Sequence, residues 1–330
     1  MASWGSIRRV VVASVTLVGG LVLAAPPASA ASVQCGDVVT HSIKLKSDLS
    51  CGGDVDGLIV GADNIKIDLD GHSIGAGWRG SGRAVGIRNE GFDNVRILNG
   101  RITNYDSGAI LISEAENNLV KNMDVFGWGY GGGITVVDST HVRLENNSAE
   151  SDYRGIYLLR TDDSLLLGNT AWASNPGWGM MITDGNNNRI IGNHLRQSYD
   201  GIGLTVEGSG TSITGNFFDN TSETGAVISG PDNVFSRNTV FSTGFDLYGG
   251  VVFDGERGVI ADNLFDSNDG DGLRVQGNAT VVTSNKAIGN LGWGIWAEEG
   301  VIDGGGNSAS GNLLGQCHNI MCRAYREPLL

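Results

Sequence analysis

Short apolar runs recur along most of the chain, and each is only three or four residues long. Examples are 134–137, 156–159, 180–182 and 204–206, which read Ile-Thr-Val-Val, Ile-Tyr-Leu-Leu, Met-Met-Ile and Leu-Thr-Val. None of these runs has the length or the 3.6-residue spacing of an amphipathic helix, so they predict short β-strands. The pattern therefore predicts an all-β protein in which many short strands are joined by turns.

Two residue types recur in step with these strands. A glycine opens the strand at Gly86, Gly108, Gly133, Gly155, Gly179, Gly201, Gly225, Gly250, Gly272 and Gly294. An asparagine follows at Asn99, Asn122, Asn146, Asn169, Asn193, Asn216, Asn238, Asn263, Asn285 and Asn307. Successive members of each column are 22 to 25 residues apart. A period of this length without a helix predicts a right-handed parallel β-helix of about ten to eleven coils, with three strands in each coil.

The repeat assigns structural roles to most of its residues. Alternate side chains of each strand point into a narrow core, where equivalent residues of successive coils stack on one another. The predicted inward positions are Ile134, Ile156, Met180, Ile202, Ala226, Val251, Leu273 and Ile295. The asparagines fall at a turn, where they tolerate the left-handed conformation and can hydrogen-bond from coil to coil. We therefore interpret them as turn supports and not as catalysts.

Segments outside the regular repeat define the predicted domain organisation. Residues 1–30 contain Arg8-Arg9, an apolar run and a final Ala-Ser-Ala, which is typical of a cleaved secretory signal peptide. We assign 31–85 to an N-terminal cap with irregular first coils, 86–316 to the regular β-helix, and 317–330 to a C-terminal disulfide cap and tail. The protein is accordingly expected to be secreted.

Charge and cysteine content narrow the expected partners. The net charge is -14, and it becomes -16 once the two arginines of the signal peptide are removed, since that segment has no acidic residue. This balance argues against nucleic acid and anionic membrane surfaces as partners, and no later apolar run is long enough for membrane insertion.

The four cysteines form two close pairs in the sequence. We expect disulfides between Cys35 and Cys51 and between Cys317 and Cys322, although four cysteines formally allow three pairings. A metal site made of Cys317, His318 and Cys322 is the alternative, but it lacks a fourth ligand. We therefore predict no metal site and no cofactor, with Ca²⁺ left open as an alternative that no motif supports.

The stretch 69–72, Leu-Asp-Gly-His, is followed by Gly-Ile, Asn-Asn and Gly-Asn repeats. Nearly all of the mature chain thereby resembles secreted bacterial proteins of the right-handed parallel β-helix superfamily. More narrowly, it resembles the NosD-like group, named for a periplasmic copper-associated protein and related to alginate epimerases and pectate lyases. The Asp-Pro-His motif of alginate epimerases is absent, and only Asp162-Asp163 echoes a polygalacturonase motif. The resemblance thus implies a fold more specifically than a function.

Aromatic and charged residues cluster in the turn before the glycine column and on the strand after it. Sugars stack their C–H faces on aromatic rings, and their hydroxyl groups bond to charged acceptors. We therefore predict a groove for a glycan, with the substrate-binding residues Tyr105, Asp106, Tyr157, Trp178, Tyr199, Arg274 and Trp296. The alternative is that these residues only cap turns, with tyrosine favoured in strands and aspartate in turns.

Two chemistries fit the centre of this groove, for which we select Asp152, Tyr153, Arg154 and Asp200 as candidate catalysts. Aspartates two coils apart would be about 9 to 10 Å from each other, near the carboxyl separation of ~6.5–9.5 Å in inverting glycosidases. Alternatively, Tyr153 or Arg154 removes the proton α to a uronate carboxylate while Asp152 orients it, as a lyase or epimerase requires.

These observations leave three functions open. The first is a secreted carbohydrate-active enzyme, a hydrolase, lyase or epimerase that acts on an extracellular polysaccharide. The second is a non-catalytic module that binds a glycan or a cell-envelope partner through the same residues. The third is a metal-linked accessory role, which the scattered histidines and the lack of a methionine or cysteine cluster support least.

Overall fold

The computed structural model describes residues 33–77, 83–128, 131–174, 177–196, 201–244 and 249–324. The predicted signal peptide and residues 325–330 of the predicted tail lie outside these ranges. No α-helix occurs among the described residues, whose regular elements are parallel β-strands. No helix in these ranges is long and apolar enough to span a bilayer.

Each coil contributes one strand to sheet A, and every strand pairs in parallel with its equivalent in the next coil. Sheet A consists of β1 (Asp37–Val39), β4 (Leu58–Val60), β7 (Ile87–Glu90), β9 (Ile110–Ser113), β11 (Ile134–Val137), β14 (Arg154–Leu159), β17 (Trp178–Thr183), β20 (Ile202–Glu207), β23 (Ala226–Ser229), β26 (Val251–Phe253), β29 (Leu273–Val275), β32 (Trp293–Ala297) and β35 (Gly315–His318).

The other two strands of each coil form sheets B and C. Sheet B contains β2 (Ile43–Lys44), β5 (Lys66–Asp68), β12 (Arg143–Glu145), β15 (Leu165–Leu167), β18 (Arg189–Ile191), β21 (Ser212–Thr214), β24 (Val234–Ser236), β27 (Val259–Ala261), β30 (Val281–Thr283) and β33 (Ile302–Gly305). Sheet C contains β3 (Leu49–Cys51), β6 (Ser73–Ala76), β13 (Ser148–Ser151), β16 (Thr170–Ala173), β19 (His194–Arg196), β22 (Phe217–Asp219), β25 (Thr239–Phe241), β28 (Leu264–Asp266), β31 (Lys286–Ile288), β34 (Ser308–Ser310) and β36 (Arg323–Ala324). Two long strands, β8 (Arg96–Tyr105) and β10 (Leu119–Gly127), run through both sheets.

The predicted parallel solenoid is confirmed, but it has about twelve turns and not ten to eleven. The additional coils lie at the two ends, where β1, β4 and β35 belong to sheet A although their sequences lack the Gly-Ile signature. Strand pairing thus begins within residues 31–85, the segment predicted to hold an N-terminal cap with irregular first coils.

The core follows the predicted alternation, but the predicted register is wrong in two coils. The inward residues of sheet A are fully buried, as predicted for Ile134, Ile156, Met180, Ala226, Val251, Leu273 and Ile295. The prediction for Ile202 is wrong, because Met180 pairs with Leu204 and Ile202 pairs with Trp178. Gly203 therefore continues the glycine column in place of Gly201. For the same reason Ala109 replaces Gly108, since Ile110 pairs with Ile134.

The stacked asparagines are confirmed as a structural ladder. Their side-chain amides donate to the Oδ1 of the next member at 2.9 to 3.2 Å. The members are Asn147, Asn169, Asn193, Asn216, Asn238, Asn263, Asn285 and Asn307. Asn99, Asn122 and Asn146 do not belong to the ladder. They occupy the preceding position, which is left-handed with φ between 53° and 58°, and in later coils Gly168, Gly192 and Gly215 occupy it. The ladder is therefore built from buried amides one residue after the left-handed turn.

Both predicted disulfides are present, Cys35–Cys51 near the first coil and Cys317–Cys322 near the last. All four cysteine sulfurs are thus bonded, which excludes the alternative of a metal site made of Cys317, His318 and Cys322.

Candidate functional site

An arginine between two aromatic rings marks the outer face of sheet A. The guanidinium carbon of Arg154 lies 4.4 Å from the ring centroid of Tyr157 and 5.6 Å from that of Trp178. Arg154 and Tyr157 belong to β14, and Trp178 is the register partner of Arg154 on β17. All three side chains are partly exposed. We call Arg154, Tyr157 and Trp178 the Arg154 cluster.

The cluster is suited to hold an anionic ligand group. Guanidinium presents a planar set of donors that matches a carboxylate, and stacking on rings holds it in one orientation. Asp152 and Tyr153 directly precede β14, and both are half-buried and engaged in contacts within the protein. The structure thus brings three of the four candidate catalysts and two of the candidate binding residues into two adjacent coils.

The structure describes two of the three candidate aspartates that precede the glycine column, Asp106 and Asp152, but not Asp200. Asp106 lies in the turn after β8, three residues before Ala109, and Asp152 lies three residues before Gly155. The register therefore places these two half-buried residues at equivalent positions two coils apart. Tyr199 and Asp200 lie outside the described residues, so their assignment stays a prediction.

The prediction that Tyr105 binds substrate is wrong, because its side chain is fully buried. Its ring occupies the space left by Gly57 and Gly86, where a Cβ atom would lie 2.9 Å from the Tyr105 hydroxyl and 3.3 Å from its ring. Burial, with a smaller contribution from the negative charge of Asp56, raises the pKa of Tyr105. Tyr105 is therefore part of the core and offers no ring face to a sugar.

Arg274 and Trp296 lie on the outer face of sheet A, but other side chains engage them. The guanidinium carbon of Arg274 lies 4.4 Å from the Trp296 ring centroid, and the ring of His318 stacks on Trp296 at 5.7 Å and 7°. Arg274 also donates to the buried carboxylate of Asp271 at 2.9 and 3.0 Å. Both ring faces of Trp296 are thus covered, and the charge of Arg274 is balanced.

A cavity that the sequence pattern did not predict lies at the opposite edge of sheet A. This open cavity of about 480 Å³ lies in the turns after β17, β20 and β23 and is lined by Asp184, Asn186, Glu207, Gly208, Ser229 and Gly230. A second glycine column could have revealed it, since Gly185, Gly208, Gly230, Gly255 and Gly277 recur every 22 to 25 residues. At Gly208 a Cβ atom would lie 1.9 Å from the carbonyl oxygen of Gly185. Because successive coils approach so closely at this column, its positions are occupied by glycine, and the turns have no side chains there.

The cavity is acidic. Asp184 and Glu207 are exposed and have no hydrogen-bond or ion-pair partner among the described residues. The nearby guanidinium of Arg160 pairs instead with Asp138, and that hydrogen bond, with smaller contributions from charges that include Asp184, raises the pKa of Arg160. Asp184 and Glu207 are therefore available as acceptors for donor groups of a ligand.

The family of the chain follows from its sequence profile. Residues 64–244 match the family described as "Periplasmic copper-binding protein (NosD)". The chain belongs to the NosD family. No curated protein matches the sequence of this NosD-family protein.

Solved structures share the fold at low sequence identity. The A-module of the Azotobacter vinelandii mannuronan C-5 epimerase AlgE4 has a TM-score of 0.59 and 14% identity, over 88% of this chain and 90% of that module. A mutant of the periplasmic alginate epimerase AlgG has a TM-score of 0.65 and 12% identity, over 88% of this chain and 79% of the other. The A-module of AlgE6 from the same Azotobacter species has a TM-score of 0.59 and 12% identity, over 87% and 92%. At such identities the likeness shows the fold alone.

The family description raises the question of copper, and the donors of this NosD-family chain do not fit it. In the described ranges, no three residues among histidine, cysteine, aspartate and glutamate lie close enough together to hold a metal ion. Three histidines pair singly with carboxylates, His72 with Asp48, His141 with Glu116 and His194 with Asp219. The cysteine sulfurs form disulfides. We derive no step of the function from copper.

Proposed function

We propose that this NosD-family protein is a secreted or periplasmic carbohydrate-active protein that acts on an acidic extracellular polysaccharide across the outer face of sheet A. The observation that carries the proposal is the Arg154 cluster, a guanidinium held between two aromatic rings on an exposed sheet face. The structural neighbours include epimerases of mannuronan and alginate, which supports the same substrate class. The two disulfides support an oxidising compartment.

Arg154 would bind the carboxylate of a uronate residue. A bidentate contact neutralises that carboxylate and stabilises the negative charge that develops when the neighbouring C–H proton is removed. Tyr153 is the group we assign to proton transfer, and Asp152 orients it. If the bond to the leaving sugar oxygen then breaks and that oxygen takes up the proton from Tyr153, the reaction is an elimination. If solvent instead delivers a proton to the opposite face of the carbon while Tyr153 keeps the one it removed, the reaction is an epimerisation.

A polysaccharide on this face would also reach the acidic cavity. Trp178 at the start of β17 and Asp184 just after its end are six residues apart, or about 20 Å along an extended strand. The unpartnered carboxylates of Asp184 and Glu207 would repel uronate carboxylates but accept hydrogen bonds from sugar hydroxyls, so the polymer would turn its hydroxyl groups toward this end of the site. We therefore place the polymer across sheet A, from the Arg154 cluster to the cavity.

A second candidate function is non-catalytic binding of the same polymer. One observation favours it: Asp152 and Tyr153, the groups that proton transfer would use, are half-buried and already engaged in contacts within the protein. A binder needs the Arg154 cluster but no proton transfer. Product formation separates the two functions.

The test is incubation of the purified protein with uronate and neutral polysaccharides. Reducing ends report hydrolysis, absorbance at the unsaturated-uronate band reports elimination, and proton NMR of the polymer reports epimerisation. We expect a change in a uronate polymer, and we expect Arg154→Lys to lower the rate at least tenfold, because lysine cannot make the bidentate contact.

The matched control is Arg257→Lys. Arg257 is an exposed arginine that pairs with Asp232 in a distant turn, so its replacement should leave the rate unchanged. Wild-type activity in Arg154→Lys would show that the Arg154 cluster is not part of the active site. Tight binding of a uronate polymer with no product by any of the three readouts would establish the non-catalytic function instead.

A further inference from the structure

The outer face of sheet C carries an aromatic patch that the function proposed for sheet A does not use. Phe217 and Phe241 are 37% and 43% exposed and lie on the neighbouring strands β22 and β25. Trp172, His194 and Arg196 lie on the two preceding strands, β16 and β19. We call Trp172, His194, Arg196, Phe217 and Phe241 the sheet C patch.

Stacked solenoids usually cover the faces of their outward rings, because the equivalent residue of the next coil lies only about 4.8 Å away. Trp296 on sheet A illustrates this, with Arg274 on one face and His318 on the other. A sugar can therefore stack only on a ring whose neighbour in at least one adjacent coil is small or extends away from it.

The two phenylalanines of the sheet C patch meet this condition. His194 covers Phe217 on one side, with ring centroids 5.1 Å apart at 47°, and the register partner on the other side is the small Thr239. The register partners of Phe241 are Asp219 and Asp266, neither of which has a ring. Both phenylalanine rings consequently retain apolar surface that solvent reaches.

Polar groups surround these rings in a mixed arrangement. The Nε2 of His194 lies 2.8 Å from the Oδ1 of Asp219, and the guanidinium carbon of Arg196 lies 4.8 Å from the ring centroid of Trp172. Asp266 accepts a hydrogen bond from the Ser267 hydroxyl. Groups of both charges thus lie beside the exposed rings, with Arg196 as the cation and Asp219 and Asp266 as the anions.

We propose that the sheet C patch binds an uncharged polysaccharide, independently of the acidic polymer assigned to sheet A. Exposed rings beside carboxylates provide the stacking surfaces and hydrogen-bond acceptors that sugars require. The mixed charge favours an uncharged chain over a polyanion. Phe217 and Phe241 are one coil and two residues apart, about 8 Å from the strand geometry, so one chain can contact both rings.

Affinity electrophoresis tests this proposal with the full-length mature protein in gels containing xylan, a mixed-linkage β-glucan, dextran or alginate. The variant is the double substitution F217A/F241A. The control is Leu167→Ala, which removes an equally exposed apolar side chain, 36% exposed, from sheet B. We expect at least one uncharged polymer to retard the wild type and the control, and we expect the double variant to lose about threefold to tenfold in affinity for it.

Two results would overturn the proposal. One is that no uncharged polymer retards the wild type, or that F217A/F241A is retarded equally. The other is a concentration-dependent dimer in size-exclusion chromatography that the double variant abolishes, because the patch would then be a protein interface. Alginate retardation, and its loss in Arg154→Lys, reports on sheet A in the same gels, so failure at one surface is distinguishable from failure at the other.

Discussion

The guanidinium of Arg154 lies over the ring of Tyr157, three residues further along the same strand, at 4.4 Å. Stacking along the strand holds the arginine upright on the sheet without removing its charge. The indole of Trp178 in the next coil supports it from the side. Arg154 thus contacts two aromatic rings, and Arg88 and Arg274 on the same sheet pair with the carboxylates of Asp56 and Asp271.

Two substitutions of Tyr157 distinguish the contribution of its ring from that of its hydroxyl group. Tyr157→Phe retains the ring, so the affinity for a uronate oligosaccharide should stay within about twofold of the wild type. Tyr157→Ala removes the ring, and loss of a cation–π contact of about 0.5–1 kcal/mol should weaken binding by about twofold to fivefold. Isothermal titration calorimetry measures both values. Equal affinities in the two variants would show that the ring does not position Arg154.

The fold could be predicted because its determinants are local and periodic. Each coil repeats an apolar alternation and a turn asparagine, so the period of about 23 residues is visible without tertiary information. The register between neighbouring strands of sheet A was harder to predict from the sequence. The turns that enter sheet A differ in length, and the first inward residues after Gly108 and Gly201, Ile110 and Leu204, lie one and two positions later than the Gly-Ile signature suggests.

The candidate site was predicted only in part, because some of its features depend on contacts between neighbouring coils. From the sequence, Arg154 and Trp178 could be placed in the turns before the glycine column and Tyr157 on the outer face of the following strand, whereas strand alternation alone would put Arg154 and Tyr157 on opposite faces. The burial of Tyr105 could not be predicted, because its space is created by Gly57 and Gly86 in neighbouring coils. The acidic cavity was missed because its carboxylates, Asp184 and Glu207, lie in different coils and carry no motif.

The asparagine ladder should dominate the stability of the central coils. The side chain of Asn193 donates to the Leu166 carbonyl and to Asn216, and its Oδ1 accepts from the backbone and side chain of Asn169. Asn193→Ala leaves buried groups on both sides without partners, which we expect to cost about 2–4 kcal/mol. Circular dichroism during urea unfolding measures this loss.

Asn278→Ala provides the matched control for the ladder. Asn278 is exposed, and its side chain makes no hydrogen bond to another described residue, so we expect a change within about 0.5 kcal/mol. Equal effects of the two substitutions would show that the ladder does not stabilise the solenoid.

The second glycine column is expected to be intolerant of any side chain. In Gly208→Ala the new Cβ would lie 1.9 Å from the carbonyl oxygen of Gly185, which is backbone and can move only if the coils separate. Overpacking of this kind costs about 1–3 kcal/mol. Gly52→Ala is the control, because no atom lies within 4 Å of its Cβ position. Only Gly208→Ala should therefore lower the melting temperature. An unchanged melting temperature for that variant would contradict the close spacing of the coils at Gly208.

Glu145 should make the stability of the folded protein depend on pH in the acid range. Its side chain on β12 is only 7% exposed and pairs with Lys121 at 3.0 Å and with Arg143. Burial alone would raise the pKa of Glu145, but the hydrogen bonds and charges of Lys121 and Arg143 outweigh burial and lower it. The native state therefore binds a proton at this carboxyl less readily than the unfolded chain does.

The sign of the pH effect follows from that lowered pKa. A carboxyl with a depressed folded-state pKa stabilises the protein fully above its unfolded value, which is 4.5, and the contribution disappears as the pH falls through the folded value. We expect Glu145→Gln to be less stable than the wild type by about 1–2 kcal/mol at pH 7. The difference in melting temperature should stay constant down to a pH of about 5 and shrink below about 4.5. A difference that persists unchanged to pH 3 would mean that shape or packing, and not the ionised carboxylate, accounts for the contribution of Glu145.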